Sequence, residues 1–502
     1  MKLTIKNKYT IYCIAILFFA ISFACAQSPV VRVTEGYIKG LKEGNSYVFK
    51  GIPYAKEPKG ALRFKAPLPH EKWADTLNCT KFATVAPQKG HFSKEGNFLS
   101  LNVYSKDLNK KKLNPVVVWI HGGGMLVGSG QTYDGHAFSD NDSIVAVTID
   151  YRLGVLGFLK LNDIGKQYAT SGNNGILDCL AALKWVKNNI AEFGGDPDKV
   201  TIMGESAGAK LVSALVVTPL SKGLFDQAIM ESGGVQCIHD PITPLIIRKK
   251  LFRELGITKA KDILTISTEE LIKAQEKVTA GAQGTNYFGP VRDGIVYKED
   301  PYCYIANNKL PKIRLLIGAN KSEARFFMDL DKRLYRPTPE ALADWFGDNG
   351  SIVYKAFKKQ MTGNTDTSLI AISVLSQYMY NMHAFRMGKA FSEAGNPTWM
   401  YRFDYSKNKY GAKHTDELKY VWYLPTAEKQ GDDINDTLAQ QLHRDWVHFI
   451  NRDNFFGSGG WSRYNIKDRI VKVYDVNSEA QRLSDIYDDK NFPSSAYILK
   501  AK

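Results

Sequence analysis

The chain has 502 residues, 44% of them apolar and 23% charged, a balance that builds a large folded body with a substantial core and excludes a mostly disordered chain. Its 66 Lys plus Arg outweigh 51 Asp plus Glu for a formal charge of +15, but the basic residues are scattered along the sequence rather than gathered in a run or an arginine stripe. That scatter argues against a nucleic-acid surface and suits plain solubility, with a diffuse field that at most speeds encounter with anionic partners.

In chain order, the first element is a processing signal. Lys2, Lys6 and Lys8 precede an apolar stretch from Ile11 to Ala24, with small residues Ala24 and Ala26 around Cys25. The stretch is too short to cross a bilayer comfortably and reads as a secretory signal over residues 1–26, cut before Gln27, leaving 27–502 as one elaborated domain. Acylation of Cys25 ranks second, because Ser22 stands where a lipoprotein signal carries a large aliphatic residue. No later apolar run approaches the roughly 18 residues of a membrane span, so a secreted or periplasmic protein is expected. Beyond the signal, Cys79, Cys179, Cys237 and Cys303 are widely and irregularly spaced. They carry no zinc-like pairing, and either disulfides or free buried thiols fit them.

Continuous apolar runs mark strands buried on both faces: Val116 to Ile120, Ile144 to Ile149, the shorter Val200 to Met203, and Leu315 to Ile317. Between the second and third, Ile176, Leu177, Leu180, Leu183, Val186 and Ile190 recur at helical spacing, and Phe193 to Pro197 closes that helix. Strand, helix, strand in this order predicts an α/β fold with a mainly parallel central sheet and helices on both faces.

The chemistry falls where these strands run into glycine-rich turns. Gly204-Glu205-Ser206-Ala207-Gly208 follows the strand Val200 to Met203 and opens a helix near Ala209, the setting of a nucleophile elbow. Small flanking residues let so tight a turn close, lifting the Ser206 hydroxyl above the sheet beside a helix N-terminus. His121-Gly122-Gly123-Gly124 follows Val116 to Ile120, and such a turn offers backbone N–H groups to a tetrahedral oxyanion. Either pattern alone is weak, the HGGG alone reading as an ordinary loop. Together, in this order, they point to acyl transfer.

Further blocks make the chain resemble the type-B carboxylesterase family, the cholinesterase-like branch of the α/β-hydrolases. These are Phe49 to Ala55 with Arg63-Phe64 and Pro67; Leu99 to Tyr104; Asp150 to Gly154 with Gly157-Phe158; Gly172-Asn173 through Asp178; and the Phe193 to Pro197 turn. The resemblance implies an α/β-hydrolase fold and a Ser-Glu-His triad in chain order. Gly318-Ala319-Asn320-Lys321-Ser322-Glu323 resembles the family's acid block, with Ala324 in place of its last glycine, which implies Glu323 as the orienting acid. Gly411 to Leu418 with Tyr420-Val421-Trp422 resembles the histidine block, which implies His414 as the base. His70, His91, His239, His383, His443 and His448 read as surface or core histidines, and His136 stays undecided.

The mechanism so implied is proton removal from Ser206 by His414, held by Glu323, with the N–H groups of Gly123, Gly124 and Ala207 receiving the oxyanion. No metal or cofactor is expected. Glu205 is open to two readings, electrostatic tuning of the site or a buried structural carboxylate. Met125, Leu126 and Val127 read either as an acyl wall or as packing. Cholinesterases and many animal relatives carry a disulfide loop whose two cysteines correspond to Ala86 and Phe98 here, and Pro87 to Asn97 holds no tryptophan to stack a quaternary ammonium. Uncharged esters, small-molecule or polysaccharide-linked, are the expected substrates. A catalytically dead binding member of the same fold and an α/β-hydrolase peptidase are the competing readings, the first weakened by the complete triad and the second by the N-terminal and histidine blocks.

Overall fold

A computed structural model describes residues 28–91, 98–280, 287–307, 312–361, 366–424, 434–453 and 461–500. The expected export signal, with Cys13 and Cys25, lies outside the described residues, as do residues 92–97 of the segment from Pro87 to Asn97. In chain order the strands are β1 (Val30–Val33), β2 (Gly36–Lys39), β3 (Leu41–Glu43), β4 (Ser46–Pro53), β5 (Leu77–Asn78), β6 (Ser100–Ser105), β7 (Asn114–Ile120), β8 (Val145–Ile149), β9 (Gly195–Glu205), β10 (Gln227–Glu231), β11 (Arg314–Asn320), β12 (Thr398–Phe403), β13 (Ile470–Tyr474) and β14 (Glu479–Arg482).

Strands β1, β2 and β5 form a small sheet, and the rest form an 11-stranded sheet in the order β14-β13-β12-β11-β10-β9-β7-β8-β6-β4-β3. From β8 through β7, β9, β10, β11 and β12 to β13 every pairing is parallel, while β8, β6, β4 and β3 pair antiparallel, as do β13 and β14. The α/β fold with a mostly parallel sheet is therefore as the sequence predicts. The antiparallel flanks are an addition that the apolar runs do not announce.

Two-residue periodicity explains why the central runs are apolar throughout. Along β7, Val116, Val118 and Ile120 enter the core on one face, and Val117 and Trp119 enter the core on the other. The first core holds the helices Asn174–Asn189 and Ala207–Val216, and the second is built around Trp119, Trp399 and Trp446. A third core, from Ala324 through Phe327 to Tyr380, lies over the end of the sheet that carries the glycine-rich turns.

The predicted helix ends at Gly194, which takes a left-handed φ of 75° as its C-cap. β9 begins at Gly195, earlier than the apolar run from Val200, because Gly195 already pairs with Asn114 across a register shift that accommodates Pro197. Main-chain pairing to a central neighbour extends the strand beyond its apolar residues.

Candidate active site

Ser206 follows β9 with φ 53° and ψ −119°, an unusual conformation for a residue with a side chain, held by its N–H donating to the Glu231 carbonyl at 2.9 Å. The elbow's glycines are required by contact. A Cβ on Gly208 would lie 1.9 Å from the Ile120 carbonyl oxygen, and one on Gly204 would lie 2.6 Å from the Gly208 backbone. Behind the elbow, every residue of the helix Ala207–Val216 is buried, so the turn is backed by packed core.

His414 comes from the loop after β12, and Glu323 from the turn after β11. His414 Nε2 is 2.8 Å from Ser206 Oγ, and His414 Nδ1 is 2.5 Å from Glu323 Oε2. The three side chains named from the sequence thus form one buried hydrogen-bonded chain at the carboxyl end of the parallel strands, where open α/β sheets bind ligands. Glu323 is fixed by its other oxygen, which accepts from the Asn320 N–H at 2.7 Å and from Ser232 Oγ at 2.5 Å. Ala324 in place of glycine costs nothing here: it begins the helix Ala324–Leu330, and its N–H donates to Ser376 Oγ at 3.0 Å.

The HGGG turn packs against the elbow, with a Cβ on Gly122 only 2.9 Å from the Glu205 carbonyl oxygen and 3.3 Å from Ser206 Cβ. Gly123 and Gly124 have φ of 102° and 64°, left-handed values natural to glycine. The Gly123 carbonyl accepts the N–H groups of Leu126 and Val127, while the N–H groups of Gly123, Gly124 and Ala207 have no acceptor among the described residues. Gln88 anchors the far side of the turn, its amide donating to the Gly128 carbonyl and accepting the Gly128 N–H, both at 2.9 Å. His121 is a structural member of the motif. Its Nδ1 contacts the Gly122 carbonyl at 2.8 Å, its ring stacks on Tyr151, and burial pulls its imidazole down to about 4, so it stays neutral.

Several residues of the site, Glu205 apart, were not assigned roles from sequence. Ser232, just after β10, bridges Glu323 to Glu417, which also accepts from Asn320 Nδ2. Burial, reinforced by the Glu323 charge, pushes the Glu417 carboxyl well above the carboxylate range. Glu205 is driven the same way, first by burial and then by Glu417, Glu323 and Glu231; its Oε1 lies 3.3 Å from His414 Nε2. Burial pushes Glu231, which accepts the Trp446 indole N–H at 2.6 Å, up to about 8. The rings of Phe326, Phe327 and Tyr380 pack on His414, with Tyr380 at 4.5 Å between centroids. Glu417 sits inside the histidine block; Ser232, Glu231 and Tyr380 carry no local signal.

The remaining sequence candidates fall outside this cluster. Asp293 accepts the Ile295 and Val296 N–H groups and an Asn173 amide proton, which makes it a turn anchor. His136 pairs with Asp134 and contacts the Glu43 carbonyl. Met125 is buried in the core, and Val127 is exposed. Trp422 packs against Trp119, Tyr133 and Phe138. Cys79, Cys179, Cys237 and Cys303 are all free, the first three buried and the last exposed, which settles the open question in favour of thiols. Among the described residues, no helix is long and apolar enough to cross a membrane, and no cluster of His, Cys, Asp and Glu could hold a metal.

Comparison with known proteins identifies the family. The model of the carboxylesterase family matches residues 27–493. Para-nitrobenzyl esterase of Bacillus subtilis (strain 168) is 33% identical over 89% of this chain and 94% of its own, and liver carboxylesterase 1F of Rattus norvegicus is 30% identical over 94% and 96%. Among solved structures, the Geobacillus stearothermophilus carboxylesterase at pH 6.2 superposes with a TM-score of 0.80 at 33% identity, covering 90% of this chain and 97% of that one. A PNB esterase structure gives 0.81 at 29% identity, covering 92% and 100%. With a serine elbow, a paired histidine and glutamate, and relatives matched along nearly their whole length, the chain belongs to the carboxylesterase family.

Proposed function

We propose that the protein hydrolyses uncharged carboxylic esters through an acyl-enzyme on Ser206. The observation that carries this reading is the unbroken chain from Ser206 Oγ through His414 to Glu323, with links of 2.8 and 2.5 Å. A serine hydroxyl is a poor nucleophile at neutral pH, so His414 Nε2 takes its proton during attack, and Glu323 holds Nδ1–H in place and stabilises the imidazolium. The oxyanion is received by the N–H groups of Gly123, Gly124 and Ala207, and each such donor is worth about 2.7–4 kcal/mol to the transition state. His414 next protonates the departing alcohol, then activates water to free the acid. No step calls on a metal or cofactor.

Substrates are small-molecule or polysaccharide-linked esters without a cationic alcohol. An ester panel spanning acetyl to long-chain acyl groups and varied alcohols, run beside Ser206→Ala, tests this: hydrolysis of neutral esters is expected and must disappear in the variant. The lysine-flanked apolar N-terminus further supports an exported protein, for which the first residue of the mature chain should be Gln27.

A further inference from the structure

Tyr380 is a buried side chain that the triad chemistry does not use. It lies in a π-helical turn, Gln377–Asn381, set between the helices Thr367–Ser376 and Met382–Glu393, where the Met382 N–H reaches back to the Gln377 carbonyl. A π turn inserts one residue and rotates the rest of the helix about its axis, and such turns recur at functional sites. Here the insertion lays the Tyr380 ring over His414, with centroids 4.5 Å apart and planes 31° apart. Phe327 packs against both rings, 14° from parallel with Tyr380 at 5.7 Å and 5.1 Å from His414, so the three form one aromatic cluster.

The hydroxyl of this ring is buried and makes no hydrogen bond of proper geometry. It lies beside the Ser206 hydroxyl, close enough for the two to interact. Burial, and after it the Glu323 charge, pushes the phenol well above its ordinary value, so it keeps its proton at any working pH. In the resting site Ser206 donates to His414 Nε2, and the Tyr380 O–H is a donor in waiting. Hydrogen bonds that serve a reaction are often loose in the free enzyme and tighten later.

Ser206 Oγ is itself the leaving group of the second half-reaction. Water gives a proton to His414 Nε2 and adds to the acyl carbon; the tetrahedral adduct then collapses, the C–Oγ bond breaks with its electron pair on Oγ, and His414 returns the proton to that oxygen. We propose that Tyr380 is a further catalytic residue, whose hydroxyl donates a hydrogen bond to Ser206 Oγ as that oxygen leaves the acyl group. Tyr380 keeps its own proton throughout. The proposal rests on the acyl-enzyme reading.

Tyr380→Phe keeps the ring on His414 and removes only the donor. The test follows one ester by rapid quench and intact-protein mass spectrometry, measuring formation and decay of the acyl adduct in parent and variant. The C–Oγ bond that breaks in decay is the bond that forms in acylation, so formation and decay are both expected to slow, by about tenfold or more, as for loss of a donor aimed at charge on that oxygen, while the pH profile of turnover, which reports His414, keeps its place. Unchanged decay, or a pH profile displaced from the parent's, overturns the proposal, the latter because it would mark a disturbed His414. A parent enzyme that forms no adduct on Ser206 overturns the acyl-enzyme reading, and the proposal with it.

Discussion

Replacing Glu323 with glutamine changes an oxygen for an NH2 group at almost constant volume, so hydrogen-bond polarity decides the outcome. Oε1 accepts from the Asn320 N–H and from Ser232 Oγ at 2.7 and 2.5 Å, and these donors hold the glutamine's carbonyl oxygen on their side. The NH2 group then occupies the place of Oε2, 2.5 Å from His414 Nδ1, and Nδ1 has to accept. The imidazole proton moves to Nε2, the atom that must take the proton of Ser206. The reversed amide is no escape, since it sets NH2 against the Asn320 N–H. The same oxygen-for-amide exchange in a serine-protease triad lowers turnover about 10⁴-fold, which is about 5.4 kcal/mol at 1.36 kcal/mol per factor of ten. Stability should fall by only about 1–2 kcal/mol, the difference between a charge-assisted and a neutral hydrogen bond. Steady-state turnover of a neutral ester at pH 8, with the melting temperature as folding control, reads both quantities. A folded Glu323→Gln enzyme within tenfold of the parent would refute the tautomer argument.

Three further outcomes rest on named groups. Glu231 is protonated in the fold up to about pH 8 against an ordinary value of 4.5; the stability this provides is complete below about pH 4.5 and lost as pH rises through 8, so the melting-temperature advantage of Glu231→Gln should widen over that interval. A constant offset would contradict the assignment. For the chain starting at Gln27, a thiol reagent should find one fast cysteine, Cys303, in the native protein, and Cys79, Cys179 and Cys237 only after denaturation; two or more fast thiols would contradict the burial. An aromatic cage is worth up to about 2 kcal/mol, roughly thirty-fold, to a quaternary ammonium, so a butyrate choline ester should gain no advantage in kcat/KM over its neutral carbon isostere; a preference of about tenfold that survives high salt overturns that reading.

The features legible in the sequence are local ones. Val116 to Ile120 and Val200 to Met203 announce central strands because burial on both faces demands unbroken apolar runs, and the glycine-rich turns that succeed them announce where Ser206 and the N–H groups of Gly123, Gly124 and Ala207 lie. Glu323 and His414 needed the family resemblance, since neither has a local pattern that separates it from a surface residue. The parts that escaped are those assembled across long sequence separations. Ser232 reaches Glu323 over 91 positions and Glu417 over 185, and no spacing rule links them. Tyr380 depends on one inserted residue in a helix whose apolar pattern is otherwise ordinary. The antiparallel strands β3, β4 and β6 lie at a sheet flank, where pairing to a neighbour rather than an apolar run defines the element.

The central claim, that Ser206 is the residue acylated during turnover, is met most directly by covalent labelling. Inactivation with an organophosphate, followed by proteolysis and peptide mass mapping, should give one adduct per chain on the peptide that carries Gly204 to Gly208, with fragment ions placing it on Ser206. An adduct on another residue, together with undiminished ester hydrolysis by Ser206→Ala, would contradict the account.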